Sequence, residues 1–289
     1  MGCAAEPMDM ADWRHYVRTV ATRCKGKVKY YEGWNEPDIS GFYSGSKAKL
    51  IELQKEMYQI VKEIDPAAMV ISPSPAAAGV GYLEGLFELG LNQYVDAIGF
   101  HFYTGAGGPE FALTKMQIIR DMMKKYHCEK PLLNTEAGWS IESAYAKDSQ
   151  GAGVDTEKTI PIERAGCFIA RGYALNWAMG IPLWCLYRWE GGMGLREDNN
   201  ELKLAAKAYQ SIGAWLIGAI MTGCVRDADG TYTVTLARGG RTATLVWNAD
   251  TTVDKAAPSG FARGTDVFGR AVTPVRGKIE VGETPILIE

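Results

Sequence analysis

The chain alternates between two apolar periodicities. Met10–Arg23 places Trp13, Tyr16, Val17 and Val20 at helical intervals and predicts an amphipathic helix stopped by Gly26. Val28–Trp34 follows as a short strand. Ser46 can cap a helix with Leu50, Leu53, Met57, Ile60, Val61 and Ile64 on one face, ended at Asp65-Pro66. Met69–Ser72 reads as a strand, Tyr82–Leu89 as a helix closed by Gly90, and Asp96–Phe102 as a strand. A helix over Glu110–Tyr126, a strand over Pro131–Thr135, a polar loop over Ser140–Thr159, a helix over Pro161–Met179, a strand over Ile181–Trp189 and a helix over Leu202–Trp215 complete this part.

Short apolar strands alternating with helices predict parallel βα units, five of them between residue 28 and about residue 215. An open doubly wound sheet and a closed barrel both fit that rhythm. The texture changes after Gly218. Thr231–Ala237, Thr242–Trp247, Thr265–Val267, Lys278–Val281 and Ile286–Ile288 are β-type runs punctuated by glycines, and Val267-Phe268-Gly269-Arg270 reads as a strand entering a hairpin turn. The expected division is a βα portion over 1–218 and an all-β, sandwich-like module over 219–289.

Composition narrows the function classes. The 289 residues are 47% hydrophobic and 22% charged, with a net charge of −3. This is a globular composition, with no basic cluster to suggest nucleic acid and no apolar run near the ~18 residues of a membrane span. The opening residues Met1–Pro7 show neither a basic n-region nor an apolar h-region, so no secretory signal is read there. Six cysteines show no C-x-x-C spacing, and Cys167 and Cys185 read as small buried hydrophobes. Three histidines, none paired at helical spacing, argue against a catalytic metal, and no cofactor is implied. Eight Trp and fourteen Tyr suit sugar handling or an aromatic core equally.

The chemistry concentrates at two strand ends. One strand runs into Trp34-Asn35-Glu36-Pro37, and another into Thr135-Glu136-Ala137-Gly138-Trp139, a hundred residues from one Glu to the next. In parallel α/β proteins the C-terminal strand edge carries the chemistry. A charged side chain ending an apolar strand is costly unless paired or set at a cleft. Two such carboxylates, each flanked by Trp, point to a cleft, although either Glu alone could serve a structural ion pair.

These motifs resemble the signature of clan A retaining glycoside hydrolases. In that clan the acid/base Glu follows strand four of a (β/α)8 barrel and the nucleophile Glu follows strand seven. The strands near 28, 69, 97 and 131 then match strands four to seven, and the one near 182 matches strand eight. Trp34–Ser46, with Gly41-Phe42-Tyr43-Ser44-Gly45, is most similar to glycoside hydrolase family 39, the β-xylosidase and α-L-iduronidase group.

The resemblance implies Glu36 as acid/base, protonated at the start, and Glu136 as ionised nucleophile of a double displacement on β-linked glycosides. Asn35 would bind the sugar 2-hydroxyl. In Phe100-His101-Phe102-Tyr103, Tyr103 would hold Glu136, with His101 nearby. Trp189 would pack on the sugar ring, and Trp139 offers either a further platform or plain packing. Glu32 reads as a buried, paired carboxylate pointing into the barrel.

The partner is then an oligo- or polysaccharide. Xylose, glucose and related units all fit, and iduronate fits less well because no basic pair faces a substrate carboxylate. Strands one to three, and the clan's Arg and His after strands two and three, have no counterpart. The expectation is an N-terminally truncated, partial barrel from a longer enzyme that works outside the cytoplasm. A non-catalytic carbohydrate-binding pseudoenzyme, or a metal-using α/β enzyme, is the alternative.

Overall fold

The computed structural model describes residues 4–76, 78–142 and 159–289. It resolves into two compact units, each built from several chain segments: residues 1–103, 114–137 and 181–185 in the first, and 104–113, 138–180 and 186–289 in the second. Most of the polar loop expected over Ser140–Thr159 lies outside the described residues. Among the described residues, no helix is long and apolar enough to cross a membrane.

The first unit begins with α1 (Met10–Cys24), capped by Asp9, whose carboxylate accepts from the Ala11 N–H at 2.8 Å. Val17 and Ala21 face Met57, Ile60 and Val61 of α2 (Lys47–Ile64) and Tyr31 and Val70 of the strands beneath. Tyr16, on the expected apolar face, is exposed instead, because it stands at the margin of that stripe. Ser46 caps α2 as expected, accepting from the Lys49 N–H at 3.1 Å. The predicted strand over Val28–Trp34 shortens to β1 (Tyr30–Glu32), since its partner β2 (Met69–Ile71) offers three residues for pairing.

Helix α3 (Val80–Glu88) precedes Gly90, whose φ of 86° suits glycine. Strand β3 (Ile98–His101) then leads to a 3-10 turn over Pro109–Phe111 and to α4 (Ala112–Lys125), so the expected helix starts two residues late. Strands β4 (Leu132–Ala137) and β5 (Trp184–Leu186) follow, and α5 (Ile162–Ala178) lies between them in the chain. β1 and β2 are parallel, an Ile71–Ala97 bridge joins the next segment in parallel, and β3 pairs parallel with β4, which neighbours β5. The five strands therefore run in sequential order, as the βα rhythm predicts.

The second unit contains α5, α6 (Leu204–Leu216) and an antiparallel six-stranded sheet ordered β11-β10-β13-β8-β7-β6. Its strands are β6 (Ile220–Arg226), β7 (Thr231–Arg238), β8 (Arg241–Asn248), β10 (Gly264–Asp266), β11 (Ala271–Val272) and β13 (Ile286–Ile288). β7 and β8 form a hairpin through Gly239-Gly240, both at positive φ, as a two-residue turn of this twist requires. One face of the sheet buries Val234, Leu236, Leu245 and Trp247 against Ala170 and Ala174 of α5 and Ala208 and Ile212 of α6. The other face buries Val246, Ile286 and Ile288 against Ile279 and Val281 of a ribbon made by β9 (Val253–Ala256) and β12 (Lys278–Val281). The protein is thus a mixed α/β molecule with a parallel strand set and an antiparallel sheet.

Candidate active site

The site in the first unit is assembled at the C-terminal ends of β1, β3 and β4. After β1 the chain turns through Trp34-Asn35-Glu36-Pro37. Trp34 anchors this turn by donating its indole N–H to the Phe42 carbonyl at 3.0 Å and by packing on Trp13 and Tyr43. The Ser74 carbonyl accepts the Glu36 N–H at 2.9 Å, and the Trp34 carbonyl accepts the Ser74 N–H at 3.0 Å. The segment after β2 therefore clamps the loop. Glu36 is held at φ 43°, a left-handed conformation uncommon for a residue with a side chain. A buried carboxylate in a strained, doubly clamped turn is a feature that functional sites carry.

A register shift between Phe100 and His101 places His101 opposite Glu136 on β4. Such an irregularity re-aims a side chain at a strand end. The fully buried His101 ring sets Nδ1 2.9 Å from Glu36 Oε1 and 3.9 Å from Glu136 Oε1. The Tyr103 hydroxyl donates to Glu136 Oε1 at 2.6 Å. One oxygen of each carboxylate and a His101 nitrogen all lie within 4.8 Å of one another. His101 Nε2 is buried without a hydrogen-bond partner among the described residues. The tautomer with its proton on Nδ1 leaves only an acceptor lone pair unmet, which costs less than a stranded N–H.

Behind this group, the Thr135 hydroxyl donates to Ser74 Oγ at 3.0 Å, and Ser74 in turn donates to the Glu32 carboxylate. Desolvation of the Glu32 carboxyl raises its pKa above the usual carboxylate value, and the Ser74–Thr135 hydroxyl pair opposes the rise only in part. The sequence reading of Glu32 as buried is corrected in one respect. Its carboxyl is crowded, but the residue as a whole keeps an exposed face, because β1 pairs with β2 on one side only among the described strands.

The structure thus gathers Glu36, His101, Tyr103 and Glu136. Asn35 sits beside Glu36 with an exposed side chain. Trp139 and Trp189 belong to the second unit. Trp139 is buried, donates its indole N–H to the Gly107 carbonyl at 2.9 Å and to Thr104 Oγ1 at 3.1 Å, and meets Phe168 edge-on. That environment is one of packing. Trp189 is 58% exposed. Sequence reasoning missed Ser74 and Thr135 as supports for Glu32, since a lone Ser and Thr carry no pattern. It also placed Cys185 inside; Cys185 is exposed on β5, where alternate side chains leave the core, whereas Cys167 is buried as expected. The same trio of Glu36, His101 and Glu136 is a donor set that a divalent cation can use.

No family model and no curated protein matches the chain. Among solved structures, it resembles a family 39 glycoside hydrolase from the gut symbiont Bacteroides cellulosilyticus WH2, with a TM-score of 0.74 at 17% identity over 98% of this chain and 62% of that one. A glucosidase from Croceicoccus marinus matches with a TM-score of 0.70 at 15% identity, over 99% of this chain and 75% of that one. A family 39 β-xylosidase from Caulobacter crescentus matches with a TM-score of 0.64 at 15% identity, over 99% of this chain and 73% of that one. The chain spans less than two thirds of the length of the Bacteroides protein. At these identities the likeness is one of architecture: the chain has the fold of the family 39 glycoside hydrolases and their structural relatives.

Proposed function

We propose that the chain carries the catalytic pair of a retaining glycoside hydrolase acting on β-linked glycosides. Its five sequential strands are read as strands four to eight of a (β/α)8 barrel. The observation that supports this reading is the approach of Glu36 and Glu136 to within 4.8 Å at strand ends, with His101 between them. Retaining enzymes hold their carboxyls ~5–5.5 Å apart, and inverting enzymes leave ~6.5–9.5 Å for a water. The short separation favours direct attack.

In the first step Glu136 attacks the anomeric carbon, and the bond to the leaving oxygen breaks as that oxygen takes the Glu36 proton. In the second step Glu36 removes a proton from water, the water oxygen bonds to the anomeric carbon, and Glu136 leaves. The hydrogen bond from Tyr103 occupies Glu136 Oε1, so Oε2 is the attacking atom. The hydrogen bond from His101 occupies Glu36 Oε1, so Oε2 carries and delivers the proton. Asn35 is assigned to the 2-hydroxyl, where a hydrogen bond strengthens as positive charge develops on the ring. The substrate is an oligo- or polysaccharide.

Turnover of aryl β-xyloside, β-glucoside, β-mannoside and β-galactoside tests the reading. Glu136→Ala is expected to abolish turnover. Glu36→Ala is expected to lose ~10²–10⁴-fold on substrates with poor leaving groups and to retain slow reaction with good ones. Wild-type activity in Glu136→Ala would overturn the assignment. A second reading, metal-assisted chemistry, draws on the same trio of ligand atoms. It predicts that a chelator abolishes activity, whereas the two-carboxylate reading predicts no effect.

A further inference from the structure

The second unit contains a cleft of about 430 Å³ lined by Glu110, Phe111, Arg164, Arg171, Arg226 and Asp250. Its volume lies within the ~300–1,000 Å³ of small-molecule sites. None of these residues belongs to the catalytic pair or its supports.

The floor is a fixed polar platform. Arg171, 2% exposed, places NH2 3.1 Å from Glu110 Oε2 and Nε 3.1 Å from Glu110 Oε1, and donates through NH1 to the Glu283 carbonyl at 3.2 Å. Glu110 also accepts the Trp247 indole N–H at 3.0 Å. Gly108 lets this floor close up, because a Cβ there would stand 2.6 Å from Glu110 and 2.8 Å from Arg171.

The rim is exposed and carries donors and acceptors side by side. Arg226 pairs with Asp250 at 2.6 Å, and Arg164 pairs with Glu283 at 3.0 Å. An arginine has five N–H donors and a carboxylate about four acceptor sites, so these pairs retain capacity for a ligand. Counting Glu283, three arginines face three carboxylates, and the cleft has no net charge with which to hold an anion. A neutral ligand whose neighbouring groups both donate and accept matches this set, and vicinal sugar hydroxyls do so. The apolar face such a ring needs is present too: Phe111 is 76% exposed at the cleft, and Tyr232, stacked flat on Trp247, also lines it.

We propose that this cleft is a second carbohydrate site that binds a neutral sugar unit of an oligosaccharide. The inference stands on the chemistry of the cleft and is independent of the catalytic assignment. Isothermal titration calorimetry of the full chain carrying Glu136→Gln, with xylohexaose, cellohexaose, glucuronate and inorganic sulfate, is the test. At least one neutral hexasaccharide is expected to bind. Phe111→Ala and Asp250→Asn, each added to that background, are expected to weaken binding by at least ~10-fold, the loss of one ring face or one paired hydrogen-bond set. Both side chains are exposed, and unchanged thermal melts would show that each variant folds. Phe111→Ala and Asp250→Asn are expected to leave wild-type turnover of a small aryl glycoside unchanged. The proposal is overturned if both variants bind within ~2-fold of the parent, if only glucuronate or sulfate binds, or if neither hexasaccharide binds.

Discussion

Tyr103 touches the Glu136 carboxylate directly, whereas Glu32 lies behind it, bonded to Ser74. Tyr103 holds an oxygen of Glu136 at 2.6 Å, and on the proposed assignment of Glu136 as ionised nucleophile such a hydrogen bond contributes about 1.5–3 kcal/mol. Tyr103→Phe should therefore lower kcat/KM by ~10–100-fold with little change in Tm. Steady-state kinetics beside a thermal melt will show this. Glu32 titrates above the ordinary carboxylate value because its carboxyl is desolvated. A raised folded-state pKa means that its contribution to stability is fully present below the unfolded value and is lost as pH rises through the folded one. Glu32→Gln removes that loss. The variant should gain stability relative to wild type on going from pH 4 to neutral pH, as melts across that range will report. The Trp34–Pro37 turn and Thr135-Glu136 were legible because strand-end carboxylates stand out against apolar runs. The sharing of His101 between them was not, since it depends on a register shift that no local pattern encodes.

At the scale of elements, helices were read more faithfully than strands. Helix α2 matched at its Ser46 cap and along its buried face, because a helix of 18 residues repeats its signal several times. Strands of three or four residues repeat it once or twice. Four of the five predicted parallel strands ran long, and β6, β9 and β11 were not read as strands at all. β6 has Gly223 in its middle and a largely exposed face, so its sequence lacks a clear apolar alternation. Close packing of the parallel strands is the element-level property most open to test. A Cβ on Gly99 of β3 would lie 2.1 Å from Ser74 Oγ and 2.8 Å from Ile71 Cγ2. Gly99→Ala should cost ~1–3 kcal/mol through overpacking, and it should lower activity further by displacing the Ser74 clamp on Glu36. Unfolding by urea and a kinetic assay measure the two effects separately.

At the scale of the whole molecule, each unit has its own core. In the second, the sheet is held between two helices and a ribbon, and its largest buried side chain, Trp247, donates to Glu110, which also pairs with the buried Arg171. Glu110→Ala would leave that guanidinium buried without its carboxylate. The expected cost is ~3–5 kcal/mol, visible as a reduced denaturation midpoint, whereas Phe111→Ala next to it should be nearly neutral.

The amino-acid pattern by itself determined the alternation of helices and parallel strands, the change to β structure after Gly218, and the placing of Glu36 and Glu136 at strand ends. Periodicity, caps and strand ends are local properties that a linear chain displays. Only the tertiary structure decided that α5 and α6 lie in one compact unit with the antiparallel sheet, that Trp139 is packed while Phe111 is exposed, and that Glu36 and Glu136 meet across one histidine ring. Those outcomes depend on contacts between residues tens to a hundred positions apart, where burial and electrostatics are set by neighbours that the local sequence does not name.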